Sequence, residues 1–265
     1  MFNDDRKNGH KPQGRRYGLV VWITRSGWLR LLSVAALLVL AGAVLSTEMP
    51  SAKTWTFWTT PLTGKVIALD AGHGGADGGA VSRDGVIEKD INLAIALYLR
   101  DYLQQAGALV ILTREGDYDL AEEGVKGYSK RKTEDLKRRV QTIQERKADL
   151  AVSIHLNSVP SSKWSGAQTF YSPNVPDSAR LATVIQGEIK ETLGNTNRTA
   201  LTNSTVYLLK SLPMPAALVE IGFLSNPGEA RMLADENYQK KVAAALYRGI
   251  LRYSAGEGPP PKTRQ

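Results

Sequence analysis

Histidine is scarce in this sequence, so the position of each copy carries information. The 265 residues contain His10, His73 and His155 and no cysteine. The absence of cysteine excludes disulfides, cysteine-ligated zinc, iron–sulfur clusters and thiol nucleophiles. Imidazole-dependent chemistry, such as acid–base catalysis or metal ligation, must therefore use one or more of these three side chains.

His73 lies in a glycine-rich loop, residues 70–79 (DAGHGGADGG). Such turns between a strand and a helix often bind phosphate. A dinucleotide fingerprint, however, would need glycine where Asp77 stands, and no P-loop Lys-Ser/Thr pair follows. The five glycines instead let the backbone bend sharply around one imidazole. Metal ligation by His73 is one interpretation of this loop, and a solvated or structural histidine is the other.

Three further side chains occupy positions suited to a shared site. His155 ends a run typical of a buried strand, and ligand sites collect at the carboxyl ends of strands in open α/β sheets. Glu88 directly precedes a helical pattern, where the helix dipole favours a carboxylate. Glu220 is embedded in an otherwise apolar strand pattern, where an unpaired buried charge costs several kcal/mol. The alternatives are a first-turn surface charge for Glu88 and a water-facing strand edge for Glu220.

Taken together, these residue types point to metal-assisted hydrolysis. Two imidazoles and one carboxylate form the ligand set of catalytic zinc sites, which leave a fourth position open for water. A further glutamate outside the coordination sphere is what is needed to take the proton of that water. The helical zinc motif HExxH is absent. A zinc site here must therefore be assembled from separate elements.

The elements that must position these side chains alternate along the chain. Short apolar runs predict strands at 66–70, 109–113, 150–155, 168–171, 206–209 and 218–221. Longer periodic patterns predict helices at about 91–105, 130–146, 178–192 and 237–253, with Asp90, Ser129 and Asp177 as N-caps of the first three. This alternation predicts an α/β fold: a single domain with a mostly parallel, about six-stranded sheet flanked by helices.

An uncharged apolar run at residues 31–45 follows a basic amino-terminal segment. With its flanks, the run approaches the roughly 20 residues that cross a bilayer. At least half of the net charge of +8 lies in residues 1–30, which predicts a cytoplasmic amino terminus with the rest of the chain outside. A cleaved signal peptide, with small residues at 41–43 as the cleavage site, is the alternative. This placement of charge also removes the main support for a nucleic-acid partner.

These features divide the chain into five predicted segments. They are a basic cytoplasmic tail at 1–27, a transmembrane anchor or signal segment at 28–47, a linker at 48–61, a catalytic domain at 62–255 and a disordered tail at 256–265. The predicted location is the cell membrane, crossed once, with the catalytic domain outside. Secretion after signal cleavage is the alternative.

Four sequence blocks carry a resemblance to a known family. In order, DAGHGG (70–75), EKDIN (88–92), VSIHLN (152–157) and LVEIGFLSN (218–226) resemble the signature blocks of the zinc-dependent N-acetylmuramoyl-L-alanine amidases of the bacterial cell wall. The match runs from about Gly64 to Tyr253. Within the family, the chain is most similar to the germination-specific members from spore-forming bacteria, with supporting blocks at 126–132 and 160–171.

The resemblance implies a site and a reaction. His73, Glu88 and His155 are expected to hold one Zn²⁺, and Glu220 is expected to be the catalytic carboxylate. The implied reaction hydrolyses the amide between the lactyl group of N-acetylmuramic acid and the L-alanine of the peptidoglycan stem peptide. In the spore subgroup, this step contributes to muramic δ-lactam formation in the cortex, and the enzyme then faces the intermembrane space of the forespore.

Substrate contacts and partners are further expectations. Asn157 stands in the His-x-Asn block and is expected to orient the site or the substrate, with a simple turn residue as the alternative; Arg139 is also expected to bind substrate. The expected partners are peptidoglycan, the membrane through the amino-terminal helix, and an accessory lipoprotein or a cortex deacetylase acting in the same pathway. No nucleic acid is expected, and the chain is expected to be a monomer.

Residues 115–123 contain five acids, whereas residues 126–147 contain nine bases against three acids. Internal pairing on a solvated surface is the usual meaning of such a pattern, and a patch for an anionic glycan strand or a partner is the alternative. No insertion the size of the family's autoinhibitory helix is present, so we expect constitutive activity or control by a separate partner. Two other functions fit the same residues: a zinc peptidase acting within the stem peptide, and a non-catalytic, membrane-anchored wall-binding protein.

Overall fold

The computed structural model describes residues 24–46 and 60–258, which fall into two units. The first unit contains one helix, α1 (Arg25–Ser46). No part of its Arg25–Ala43 span is buried, and its length and composition suit a membrane span, as those of a signal sequence also do. The predicted basic tail, linker and carboxyl-terminal tail lie largely outside the described residues, so the segment boundaries stay predictions.

A six-stranded sheet forms the centre of the second unit, as the α/β prediction required. Its order is β2-β1-β3-β6-β4-β5, with β4 antiparallel to β6 and the other neighbouring pairs parallel. The strands are β1 (Val66–Ala71), β2 (Leu109–Leu112), β3 (Leu150–Asn157), β4 (Gln168–Tyr171), β5 (Leu201–Thr202) and β6 (Ala216–Phe223).

Helices cover both faces of this sheet. They are α2 (Glu88–Gln105), α3 (Tyr128–Glu145), α4 (Asp177–Leu193), α5 (Tyr207–Ser211), α6 (Pro227–Leu233) and α7 (Glu236–Ser254). Successive strand residues point to opposite faces. Ile67 and Leu69 of β1 therefore pack in a core with α2, α4 and α7, whereas Ala68 packs in a smaller core with α3 and α5.

The edge where β1, β3 and β6 end is the part of the fold that matters for chemistry. These three strands are adjacent and parallel, so the segments that follow them meet at one edge of the sheet. Thus β1, which leads into the loop with His73, is a direct neighbour of β3, which carries His155. In the β1–β3 register, Asp70 lies opposite Ser153, and in the β3–β6 register, His155 lies opposite Glu220.

The sequence prediction was wrong at several places, and it did not include β5 or α6. Residues 206–209 were predicted as a strand but belong to the start of α5, because a four-residue apolar run has no period that separates a strand from a buried helix turn. The predicted N-caps were also misplaced: Asp90 and Ser129 lie inside the first turns of α2 and α3, and Asp177 is the first residue of α4.

Candidate metal centre and active site

The loop after β1 brings His73 to the edge of the sheet. His73 has a φ of +63°, a left-handed conformation that is uncommon outside glycine. Gly72, just before it, permits the close approach of the two histidines: a Cβ at this position would lie 2.2 Å from Cε1 of His155. The two imidazole rings meet edge to face, with centroids 5.0 Å apart.

Three side chains converge on one point at this edge. The carboxylate oxygen Oε1 of Glu88, the first residue of α2, lies 3.2 Å from Nε2 of His73 and 3.1 Å from Nδ1 of His155. One donor atom from each of the three side chains lies within 4.8 Å of the others. Two imidazole nitrogens and a carboxylate oxygen at this spacing fit a divalent metal, and they are the donor types that catalytic zinc sites use.

Glu88 is held by the backbone as well as by the imidazoles. Its Oε2 accepts a hydrogen bond from the amide of Ala80 at 2.9 Å, and its Oε1 accepts one from the amide of Leu156 at 2.9 Å. Burial acts to raise the pKa of Glu88, but hydrogen bonds and charge from His155 and His73 outweigh it and keep the pKa well below its usual range. The carboxylate is therefore ionised and fixed in place at neutral pH, as a metal ligand must be.

Asp77 orients the other side of the His73 ring. Its Oδ2 lies 2.9 Å from Nδ1 of His73, off the ideal hydrogen-bond direction, and 3.0 Å from Nζ of Lys132. Its Oδ1 accepts a hydrogen bond from the hydroxyl of Tyr128 at 2.8 Å. Burial lowers the pKa of His73, but Asp77 and Glu88 outweigh burial and raise that pKa to about 9. Nε2 is the nitrogen that faces Glu88, at 3.2 Å from Oε1, and a metal that binds there competes with a proton.

The pKa of Glu220 is shifted in the opposite direction from that of Glu88. It lies on β6 beside His155, and its Oε2 is buried without a hydrogen-bond partner. Burial raises its pKa, the charge of Glu88 adds to this, and the two histidines act against it. A carboxylate with a raised pKa and an unused oxygen is suited to accept a proton from a reacting group.

Two members of the three-donor cluster, His73 and His155, line one cavity of about 300 Å³ together with Glu220. Lys132 and Leu136 of α3 form one wall, and the start of α5 forms the other, with Val206, Tyr207 and Leu208. Sequence reasoning missed this second wall because it had assigned residues 206–209 to a strand.

Asn157 and Arg139 were also expected to contribute to the site, and they differ in their positions. Asn157 ends β3, where its carbonyl accepts a hydrogen bond from the amide of Leu224, and it is not among the residues that line the cavity. Its substrate role stays a prediction. Arg139 is 1% exposed, and its guanidinium donates to four acceptors inside the protein. Arg139 is nevertheless among the residues that line the cavity, and its expected role in binding substrate stays a prediction.

The neighbouring acidic and basic segments pair with each other. Arg131 of α3 forms an ion pair with Asp119, and Arg138 forms ion pairs with Glu122 and Glu134. Cross-pairing of this kind is what the solvated-surface interpretation of residues 115–147 predicts.

Comparison with known proteins decides the family. A family model described as N-acetylmuramoyl-L-alanine amidase matches residues 67–252. The chain belongs to this family. It is therefore an N-acetylmuramoyl-L-alanine amidase, an enzyme of the bacterial cell wall, as the sequence blocks predicted.

Individual relatives and solved structures show which members of the family this amidase resembles. The chain is 52% identical over 208 residues to the germination-specific N-acetylmuramoyl-L-alanine amidase of Bacillus subtilis, covering 78% of this chain and 87% of that one. Among solved structures, it is similar to the CwlD amidase of Clostridioides difficile in complex with the GerS lipoprotein, at 46% identity and a TM-score of 0.71, covering 73% of this chain and all of that one. The catalytic domain of CwlV from Bacillus (Paenibacillus) polymyxa matches at 35% identity and a TM-score of 0.62, covering 71% and 97%.

Proposed function

We propose that this amidase is zinc-dependent and removes stem peptides from the peptidoglycan of the spore cortex. It would hydrolyse the amide between the lactyl group of N-acetylmuramic acid and L-alanine. The observation that carries the proposal is the three-donor cluster, two of whose members line the same cavity as Glu220, a carboxylate with an unused oxygen. The cortex role rests on the 52% identity to a relative named germination-specific.

Zinc fits the donor set, and we assign His73, Glu88 and His155 as the ligands of one ion. When bound, zinc supplies Lewis acidity: it polarises the substrate carbonyl and lowers the pKa of water to about 7. The chain's own contribution at this point is to hold three donors close together before any ion arrives.

Glu220 is proposed as the proton carrier of the reaction. Its free Oε2 accepts a proton from the attacking water as the new carbon–oxygen bond forms at the lactyl carbonyl. The same carboxyl group then donates that proton to the nitrogen of L-alanine as the carbon–nitrogen bond breaks. The product pair is a muramic acid with a free lactyl carboxylate and a stem peptide with a free L-alanine amine.

The membrane setting is part of the proposal. We infer that α1 anchors the enzyme, with residues 1–27 in the cytoplasm and residues 62–255 outside, in the intermembrane space of the forespore. The support is the basic segment before the apolar run and the exposed apolar side chains of α1. A lipoprotein is proposed as an accessory partner because the CwlD relative was solved in complex with one.

Product identity tests the reaction. Full-length protein in detergent is incubated with purified cortex peptidoglycan, and the soluble products are analysed by mass spectrometry. We expect intact stem peptides with a free L-alanine amine, loss of this product with a zinc chelator, and its return on adding zinc. A Glu220→Gln protein purified in the same way controls for contaminating hydrolases. Fragments cut within the stem would instead show a peptidase, and chelator-insensitive release would contradict zinc dependence.

A further inference from the structure

Two arginines are buried next to the three-donor cluster, and the proposed proton transfer assigns no step to either of them. Arg114 and Arg139 are each 1% exposed, and they are the only charged residues among the large, fully buried side chains of the described residues. Taking a guanidinium out of water is costly unless its donors are all well placed. The hydrogen-bond acceptors of these two guanidinium groups therefore indicate their structural role.

Arg114 joins the His73 loop to the start of α2. Its guanidinium donates only to backbone carbonyls, at distances of 2.8 to 3.0 Å. The acceptors are the carbonyl oxygens of Ala71, Gly72, Lys89 and Gly116. Two of these precede His73 in the loop, and the third belongs to the residue after Glu88. One rigid planar group thus fixes the spacing between the elements that carry two of the proposed ligands.

Arg139 joins the same loop to β3. It donates to the carbonyl of His73 at 2.6 Å and to that of Ala71 at 2.7 Å. It also pairs with Asp70 at 2.8 Å and with Asp135 at 2.8 Å. The other oxygen of Asp70 accepts a hydrogen bond at 2.6 Å from Ser153, two residues before His155 on β3. The path from Arg139 through Asp70 therefore reaches the third ligand-bearing element.

We propose that Arg114 and Arg139 are positioning residues that hold the three ligand-bearing elements in register before a metal binds. The left-handed backbone of His73 costs roughly 1–2 kcal/mol for a residue with a side chain, and it persists only where surrounding contacts impose it. Arg139 donates a hydrogen bond to the carbonyl of His73 itself. Lysine cannot replace this arrangement because its single nitrogen does not reproduce the planar fork of a guanidinium.

This inference rests on the proposed zinc role, and it predicts a loss of metal affinity in variants that remain folded. We expect Arg139→Lys and Arg114→Lys to weaken zinc binding by about 10–100-fold, the range seen when outer partners of metal ligands are lost. Arg180→Lys is the matched control. Arg180 also forms a short ion pair, with Asp177 at 2.8 Å, and it packs on the ring of Tyr253, but it lies on α4 and contacts no ligand-bearing element.

The test uses full-length, metal-free protein in detergent. Zinc affinity is measured by competition with a chromophoric chelator, and the visible spectrum of the cobalt(II) form reports the ligand geometry independently of turnover. Weaker zinc binding and a changed cobalt spectrum in folded Arg114 and Arg139 variants, with wild-type behaviour in Arg180→Lys, would support the proposal. Wild-type zinc affinity in the two folded variants would overturn it.

Two further outcomes keep the test decisive. If neither arginine variant folds, Ser153→Ala decides, because it removes only the hydrogen bond to Asp70. A several-fold weaker zinc affinity in this variant would then support the proposal, and an unchanged affinity would overturn it. If the wild-type protein itself binds no zinc, the proposed function fails, and that result is distinct from failure of the arginine proposal.

Discussion

The loop that carries His73 and the strand that carries Glu220 face the same cavity, yet they hold their side chains in opposite ways. His73 lies between Asp77 and Glu88, and its carbonyl accepts a hydrogen bond from Arg139. Glu220, by contrast, keeps a buried oxygen without a partner. The contrast matches the two roles proposed for these side chains, because a metal ligand must be held in place, whereas a proton carrier needs an oxygen that is free to bind water or substrate.

Electrostatics follow the same division. On the loop side, the effect of opposite charges exceeds that of burial, so the pKa of His73 is raised to about 9 and the pKa of Glu88 is lowered. On the strand side, burial dominates and raises the pKa of Glu220. The pKa values of two neighbouring carboxylates are thereby shifted in opposite directions, a pattern that separates a permanently charged group from an acid–base group.

Of the substitutions considered, Gly72→Ala, which crowds the loop beside His155, should have the largest effect on zinc affinity. In Gly72→Ala, the new Cβ would lie 2.2 to 2.6 Å from three atoms of the His155 ring, so the ring must move. We expect zinc affinity to fall by about 100-fold or more, at or beyond the upper end of the range for outer-partner changes. The control is Gly187→Ala on α4, where a Cβ meets nothing within 4 Å and helix propensity favours alanine. Equal zinc affinity in the two variants would contradict the close packing of the two histidines.

Removing the negative charge of Asp77 beside His73 should cause the next largest loss of zinc affinity. Asp77→Asn keeps the size of the side chain but loses the negative charge next to Nδ1. We expect a 10- to 100-fold weaker zinc affinity, measured by chelator competition, because the outer carboxylate no longer fixes the ring. Asp84→Asn, an exposed neighbour, is the control. If both variants bind zinc equally well, the orienting role of Asp77 is wrong.

Asp70 provides a pH signature of the buried ion pair. Burial raises its pKa, but Arg139, His155 and Ser153 outweigh burial and lower it from 3.8 to about 2. A lowered folded-state pKa adds stability that is complete above the unfolded-state value and is lost as pH falls through about 2. The shift corresponds to roughly 2 kcal/mol at pH 7.

Urea unfolding of metal-free protein measures this contribution. The difference in unfolding free energy between wild type and Asp70→Asn should fall by about 1 kcal/mol between pH 7 and pH 3, which is about half of the part that depends on the Asp70 pKa. A difference that stays constant across this range would show that Asp70 is not ionised and paired in the native state.

The smallest expected effect comes from the outermost contact on the loop side. Tyr128→Phe removes one hydroxyl that donates to Asp77, in a side chain that is 55% exposed. A single hydrogen bond contributes about 0.5–1.5 kcal/mol, so zinc affinity should fall by less than about 15-fold. Tyr118→Phe, whose hydroxyl accepts from the amide of Glu115 instead, is the control. A larger loss of zinc affinity in Tyr128→Phe than in Asp77→Asn would show that Tyr128 does not act through its hydrogen bond to Asp77.

Much of the site was predictable because strand ends carry chemistry and histidine was scarce. His73 and His155 follow apolar runs, so their meeting at one sheet edge followed from parallel pairing. Glu220 stood out because a lone carboxylate in an apolar strand needs a reason. In each case, a local pattern implied a position in the fold, and the structure brings the side chains together there.

What sequence patterns missed depends on packing across the fold. Nine bases between residues 126 and 147 give no signal of which one is buried, and the acceptors of Arg139 lie at positions 70, 71, 73 and 135. The α5 wall was missed for a related reason: Leu208 and Leu209 are buried against the sheet, and burial gives helix and strand the same short apolar run.

Metal content and turnover measured together test the central claim most directly. Glu220→Gln and Glu88→Gln proteins are purified in parallel, and zinc per chain and stem-peptide release are determined for each. The division between ligands and proton carrier predicts that Glu220→Gln keeps one zinc per chain and loses turnover by a factor of about 100 or more, while Glu88→Gln loses both. Loss of zinc from Glu220→Gln, or wild-type turnover in that variant, would contradict it.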